Sequence, residues 1–186
     1  MRKMITLSLV VAVALAVGGC KDSTGPSDAN FTATITGDLE LELEGEAIFG
    51  VTTSGGIDRW MIFLTAGQFM VDPDWDMIGI SREASGTSIG VGTHTIVDAA
   101  DDDLEAEDVA AAYMLGRHNG GSLGVFGSVS GTLTITAATS NVVTGNFSFS
   151  ATMHAAVGDD ARDLRDLMVT GSFTAEPGTI PAFAAN

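Results

Sequence analysis

Cysteine is almost absent: Cys20 is the only one in 186 residues. No intramolecular disulfide can form, no cysteine-based zinc site can be assembled, and no thiol nucleophile exists elsewhere in the chain. Basic residues are scarce too, with eight Lys and Arg against 24 Asp and Glu. Arg2 and Lys3 stand at the extreme N-terminus, so residues 20–186 keep six basic residues and a formal net charge of −18. A nucleic-acid surface needs clustered Lys and Arg that release counterions from phosphate. No such cluster exists, which excludes nucleic acid as a partner. Histidine is limited to His94, His118 and His154, and no two have the spacing of a helical H-E-x-x-H zinc motif. They read as surface residues.

What is present points to strands. Apolar residues make up 45% of the chain, Gly numbers 23, and Thr and Ser are abundant. That mixture describes short strands joined by turns, with enough apolar surface to build a core. The expected fold is all-β, an antiparallel and strongly curved sheet, as a meander β-barrel or alternatively a β-sandwich.

The N-terminus follows a different rule. Met1-Arg2-Lys3 is a basic start, Met4–Val17 is apolar apart from Thr6 and Ser8, and Gly18-Gly19-Cys20 follows. The run is short for a permanent membrane helix, which needs about 20 apolar residues. Its basic, apolar and small-residue order is that of a cleaved export signal, a signal helix over residues 1–19. Val17-Gly18-Gly19-Cys20 resembles a bacterial lipobox. The resemblance implies cleavage before Cys20, diacylglycerol on its sulfur and a further acyl chain on its freed amine. Two or more acyl chains hold a protein stably on a bilayer, at about 0.8 kcal/mol for each buried methylene. Lys21 follows, where a Gram-negative inner-membrane retention signal is similar to Cys-Asp, so the pattern implies the outer membrane, on its periplasmic or surface face. Residues 20–30 are polar with Gly25-Pro26 among them and read as a flexible tether.

Residues 31–176 carry the domain. From Phe31 to Val51 apolar side chains fall on odd positions and Thr or Glu on even ones, the signature of strands with one buried and one wet face. Breaks or bends are expected at Gly37-Asp38 and Gly45. The Glu40, Glu42 and Glu44 row reads as a solvated face that discourages edge pairing. Ser54-Gly55-Gly56 is a turn, and Arg59–Thr65 is apolar on both faces, as in a strand covered on both sides. Gln68–Val71, Met77–Ser81, Ile89–Val97 and Tyr113–Leu115 are further strand candidates. Asp98–Asp108 holds seven acidic residues and reads as an exposed loop or the start of a short helix. Asn119-Gly120-Gly121 signals a hairpin. Residues 177–186, with two prolines, read as a loose tail.

One short pattern recurs. Val129-Ser130-Gly131-Thr132-Leu133-Thr134 returns as Val143-Thr144-Gly145-Asn146-Phe147-Ser148 and again as Val169-Thr170-Gly171-Ser172-Phe173-Thr174. The offsets of 14 and 26 residues are too irregular for a solenoid. With Ala137–Asn141 as a hairpin loop, Gly131 would face Phe147 and Leu133 would face Gly145, each bulky side chain filling the space a glycine leaves. Glycines placed so let a sheet curl, which favours a closed barrel. The lipobox, the Gly/Ser tether, Gly92–Thr95 and Val143–Ser150 together resemble a broad set of small β-rich bacterial lipoproteins of unknown function. That resemblance implies the export route and the fold class, and no catalytic residues.

Candidate chemistries are few. Gly86-Thr87-Ser88-Ile89-Gly90 and Gly120-Gly121-Ser122-Leu123-Gly124 both match G-x-S-x-G, but a nucleophile elbow needs a helix after the serine, and strand is expected after each. Asp72-Pro73-Asp74-Trp75-Asp76, with Glu83 in twelfth place, has the carboxylate spacing of a calcium loop, yet Met77 stands where the sharp turn needs Gly. That rejects an EF-hand and leaves Asp72, Asp74 and Asp76 as a looser Ca²⁺ candidate; the Asp101–Asp103 run is a second. Trp60 and Trp75 are either core or the lining of a ligand cavity. The function expected is a non-catalytic binding or structural module of the cell envelope, held to the membrane by lipid through Cys20. Its protein or small-molecule partner is left open and no cofactor is expected beyond that Ca²⁺ candidate. The alternatives are a divalent-cation-dependent adhesion or small-ligand-binding domain and, after it, an envelope hydrolase.

Overall fold

Alternating apolar and polar residues make strands, and a sheet with one apolar face can hide that face by closing on itself. The computed structural model describes residues 30–54, 57–68, 72, 74–83, 89–101, 105–117, 122–158 and 164–181. The expected signal helix, Cys20 and the tether lie outside them. Every regular element described is a strand: β1 (Asn30–Gly37), β2 (Leu41–Ser54), β3 (Ile57–Ala66), β4 (Asp74–Glu83), β5 (Gly92–Ile96), β6 (Ala110–Arg117), β7 (Ser122–Ala138), β8 (Val143–Val157) and β9 (Asp166–Pro177). The sheet runs β7-β6-β4-β3-β2-β1-β9-β8, and β8 pairs back onto β7. Eight antiparallel strands thus close a meander barrel, and β5 lies as a ninth strand on β7. Of the two architectures expected, the barrel is the one formed.

The odd-numbered face of β1 and β2 goes inside. Ala33 lies opposite Leu43 on β2 and Gly171 on β9, and Ile35 lies opposite Leu41 and Val169. Trp60, Tyr113, Phe31, Phe126 and Phe149 are the bulkiest fully buried side chains and fill the interior together with Ile35, Ile62, Leu64, Ile78 and Ile80. Eight strands enclose a space just wide enough for side chains. The barrel is a packed core.

Gly37-Asp38 is a turn, as its sequence suggests, whereas β2 runs straight through Gly45. A side chain at Gly45 would collide with the Thr65 carbonyl of β3, so the glycine there marks a close approach and not a bend. The recurrent V-S/T-G pattern supplies β7, β8 and β9. Its three glycines lie opposite Phe149, Phe173 and Phe147 respectively. The partners Gly131–Phe147 and Leu133–Gly145 expected from the sequence are therefore corrected to Gly131–Phe149 and Ile135–Gly145. Two features shift the register. The loop is Thr139–Val142, held by the Thr139 hydroxyl accepting the N–H groups of Asn141 (3.2 Å) and Val142 (3.0 Å), and a bulge lies between Ile135 and Ala137.

Two places show how unequal strands share one wall. β5 and β6 both pair antiparallel with β7, β5 with residues 131–135 and β6 with residues 122–127. They are two segments of one wall position, joined by the acidic excursion of residues 97–109, which leaves the wall at Ile96 and returns beside it at Val109. Ser128, fully buried on β7, sits at the join. Its hydroxyl donates to the Val97 carbonyl (2.7 Å) and accepts from the Ala111 N–H (3.1 Å). The other place is the start of β1, beyond which β2 and β9 meet directly as parallel neighbours at Ile48–Glu176 and Phe49–Pro177. There the tail departs from expectation. Gly178 donates to the Phe49 carbonyl (2.9 Å) and Ile180 is only 7% exposed, so the chain is pinned as far as the end of that contact. An apolar isoleucine beside an apolar wall is the reason.

Candidate functional site

A filled interior leaves the outer surface to carry function, and the outer face of one wall departs from the alternation rule. Strand β3 is apolar on both sides: Trp60, Ile62 and Leu64 point in, while Met61 and Phe63 point out. The sequence expectation that this strand is covered on both faces holds at Phe63, while Met61 on the same outer face is only half-buried. Phe63, Trp75, Met77 and Ile180 form a second apolar cluster outside the barrel, with Ile48, Met61, Met114 and Leu123 packed against it. Trp75 lies across Gly116, its register partner on β6, where any side chain would collide with the indole. Trp75 is 3% exposed and belongs to this outer layer, whereas Trp60 belongs to the core. Neither lines an internal ligand cavity.

Next to that cluster the outer face opens into a groove of about 250 Å³. Met61, Met77 and Met114 form its sides, and Gly79, Ala110 and Ala112 form its floor. Small residues hold the floor low, and methionine provides flexible, polarizable walls that adapt to differing shapes. Ala99, from the acidic excursion, completes the rim. The excursion is held in place by short bonds: the Ala99 N–H to the Ser128 carbonyl (2.8 Å), the Ala100 N–H to Asp98 (2.8 Å) and the Glu105 N–H to Asp108 (2.8 Å). Asp98, Asp101, Glu105 and Glu107 are solvent-exposed along it. It is a loop with turns where described, and Asp102, Asp103 and Leu104 lie outside the described residues.

A larger hollow of about 560 Å³ crosses β1 between β2 and β9, lined by Glu42, Glu44 and hydroxyl side chains. Three of those hydroxyls bond within the sheet, Thr32 with Ser172 (3.4 Å) and Thr170 on the Thr34 carbonyl (3.5 Å). It is the wet face expected of the glutamate row.

The other candidates separate in space. Asp76 turns inward at 7% exposure and accepts a 2.5 Å hydrogen bond from the Tyr113 hydroxyl. Asp72 accepts the Gln68 N–H (2.5 Å) and shapes the β3–β4 turn, and Asp74 is exposed at the start of β4. Among the described residues no group of three or more His, Cys, Asp or Glu is placed to hold a metal ion. His94 shares the inward face with its register partner Leu133 rather than the polar face of Thr93 and Thr95, and it bonds the Gly90 carbonyl (2.9 Å). His154 is exposed and lies over Gly127. Ser122 opens β7, so strand follows it; Ser88, His118, Asn119, Gly120 and Gly121 lie outside the described residues. At the opposite register position from the outer groove, Trp60 and Arg82 face each other on the inward side of β3 and β4, and the Trp60 Nε1 and Arg82 Nε donors are buried without acceptors.

The methionine groove was not singled out by the sequence. Its signals were the two-faced apolar pattern of Arg59–Thr65 and the run Met77-Ile78, both of which say that a strand is covered without saying by what. No protein-family model, no curated protein and no solved structure matches the chain, so the site is read from its own residues.

Proposed function

We propose that this chain is an exported, lipid-anchored and non-catalytic module of the cell envelope that binds a partner polypeptide through the outer groove of β3, β4 and β6. The observation that carries the reading is an apolar, methionine-sided groove on the outside of a barrel whose interior is already full. A groove of that kind gains free energy when a partner's apolar side chains displace its water, at about 25 cal/mol per Å² of apolar surface covered. The basic–apolar–small leader ending at Cys20 supports export and anchoring, and Lys21 supports the outer membrane. Strand β1 starts at the same end as the β2–β3 and β7–β8 connections, so the tether joins the domain at that end. The groove lies on the side wall, open to partners.

Membrane fractionation tests the anchor. Wild-type chain is expected in the membrane pellet, and Cys20→Ala, or globomycin treatment, is expected to leave unprocessed precursor and no acylated mature form. Mature protein that still sediments with membranes after Cys20→Ala would sink the lipid anchor while leaving the groove reading intact.

A further inference from the structure

The groove is not electrically neutral at its rim. Ala99, which completes it, follows Asp98 directly, and Ala110 on its floor follows Asp108 and Val109. Between those two points the excursion adds Glu105 and Glu107, both exposed. Arg82, beside groove-lining Ser81, points to the inward side of the wall with Trp60, while Arg59, two residues from Met61 on the same outer face, lies opposite Glu83. Residues 20–186 as a whole carry −18. The acidic excursion therefore joins the apolar groove at Ala99 and Ala110.

Resting on the groove reading, we propose that the partner is a cationic amphipathic polypeptide segment. Its large apolar side chains enter the groove between Met61, Met77 and Met114, and its Lys or Arg residues face Asp98, Glu105 and Glu107. An anionic or uncharged segment with the same apolar face lacks the second half of this fit. Charge at a rim acts chiefly on encounter rate and partner choice, while the buried apolar contact sets residence time. Methionine walls suit a partner defined by its amphipathic pattern more than by one sequence.

The test uses residues 20–186 and three synthetic 18-residue helices with one Leu face and a polar face of Lys, Gln or Glu. Binding is read by calorimetry and by Trp75 emission, since Trp75 belongs to the apolar cluster beside the groove. The Leu/Lys helix is expected to bind at least about tenfold more tightly than Leu/Gln at low salt, and Leu/Glu more weakly still. Glu105→Gln with Glu107→Gln is expected to cost several-fold in affinity for Leu/Lys and nothing for Leu/Gln. Met61→Gln with Met114→Gln, near-isosteric changes at half-buried positions whose folding is checked by the thermal melt, is expected to abolish binding of both. Equal binding of Leu/Lys and Leu/Gln overturns the cationic partner but spares the groove. Binding untouched by the methionine changes overturns the groove reading itself. Two further results overturn the peptide assignment: a concentration-dependent dimer abolished by the methionine changes, which makes the face a self-interface, or equal capture of the chain by zwitterionic phospholipid vesicles.

Discussion

Single side chains do their work here by repairing what the fold breaks. Ser128 is the clearest case. Where β5 hands its place on β7 to β6, a donor and an acceptor lose regular partners, and one buried hydroxyl serves both. Leaving a buried polar group unpaired costs about 1–3 kcal/mol. Ser128→Ala is therefore expected to lower the unfolding free energy by about 1–3 kcal/mol in urea titration. A change below about 0.5 kcal/mol, the range of an ordinary surface substitution, would show that the join is held by other contacts. Tyr113 plays a similar part for Asp76, giving a buried carboxylate a hydroxyl donor while its ring packs on Phe126 at 5.7 Å between centroids. That arrangement explains why Asp76, which the sequence groups with Asp72 and Asp74, belongs to the core.

At the scale of elements, the three V-S/T-G strands set glycine against phenylalanine across the sheet. Each glycine lies opposite a phenylalanine of a neighbouring strand, and Phe147 packs on Phe149 and Phe173 with centroids 6.1 and 6.4 Å apart. A methyl group at Gly131 would meet the β8 backbone and the Phe149 Cβ at 2.5 Å, and neither can rotate away. Overpacking of this kind costs about 1–3 kcal/mol. Gly131→Ala is expected to destabilise by at least that amount, whereas Gly90→Ala, with open space around the added carbon, is expected within about 0.5 kcal/mol of wild type. Melts of the two variants side by side check the claim that these glycines are there for the close packing of a curled sheet. Equal effects would refute it.

The whole molecule closes between its first strand and its last. β1 pairs with β9 across 130 to 144 residues of sequence, from Asn30–Thr174 to Gly37–Leu167. Closure of so long a loop makes barrel formation dependent on non-local contacts and therefore slow. Asp38, in the β1–β2 turn, reinforces that seam by accepting the N–H groups of Asp166 (3.1 Å) and Arg165 (2.7 Å). The Asp166 N–H first, then the Arg165 N–H and the Arg165 charge, hold its carboxyl below its ordinary value of 3.8. A carboxyl depressed in the folded state stabilises fully above its unfolded value and loses that contribution as pH falls through the lower folded value. The difference in melting temperature between wild type and Asp38→Asn is therefore expected to be constant near neutrality and to shrink below about pH 4. A gap that stays unchanged down to pH 2 would show that the ionised carboxylate does not hold the seam.

Much of this was decided along the chain itself. Period-two alternation names the inward residues of β1 and β2, Gly37-Asp38 marks the turn between them, and the recurrent V-S/T-G pattern predicts a curled sheet, because each is a local property of one or two strands. Tertiary structure decided what depends on strands distant in sequence. It chose the barrel over the sandwich by pairing β7 with β8 and β1 with β9. It set the glycine–phenylalanine partners two residues away from the simplest hairpin register, since bulges are positioned by both neighbours of a strand. It pinned Ile180 where a loose tail was expected, sent Asp76 inward to Tyr113, and gathered three methionines from β3, β4 and β6 into one groove. Apolar side chains state only that they must be covered; which surface covers them, and which is left open, follows from the closed arrangement of all the strands.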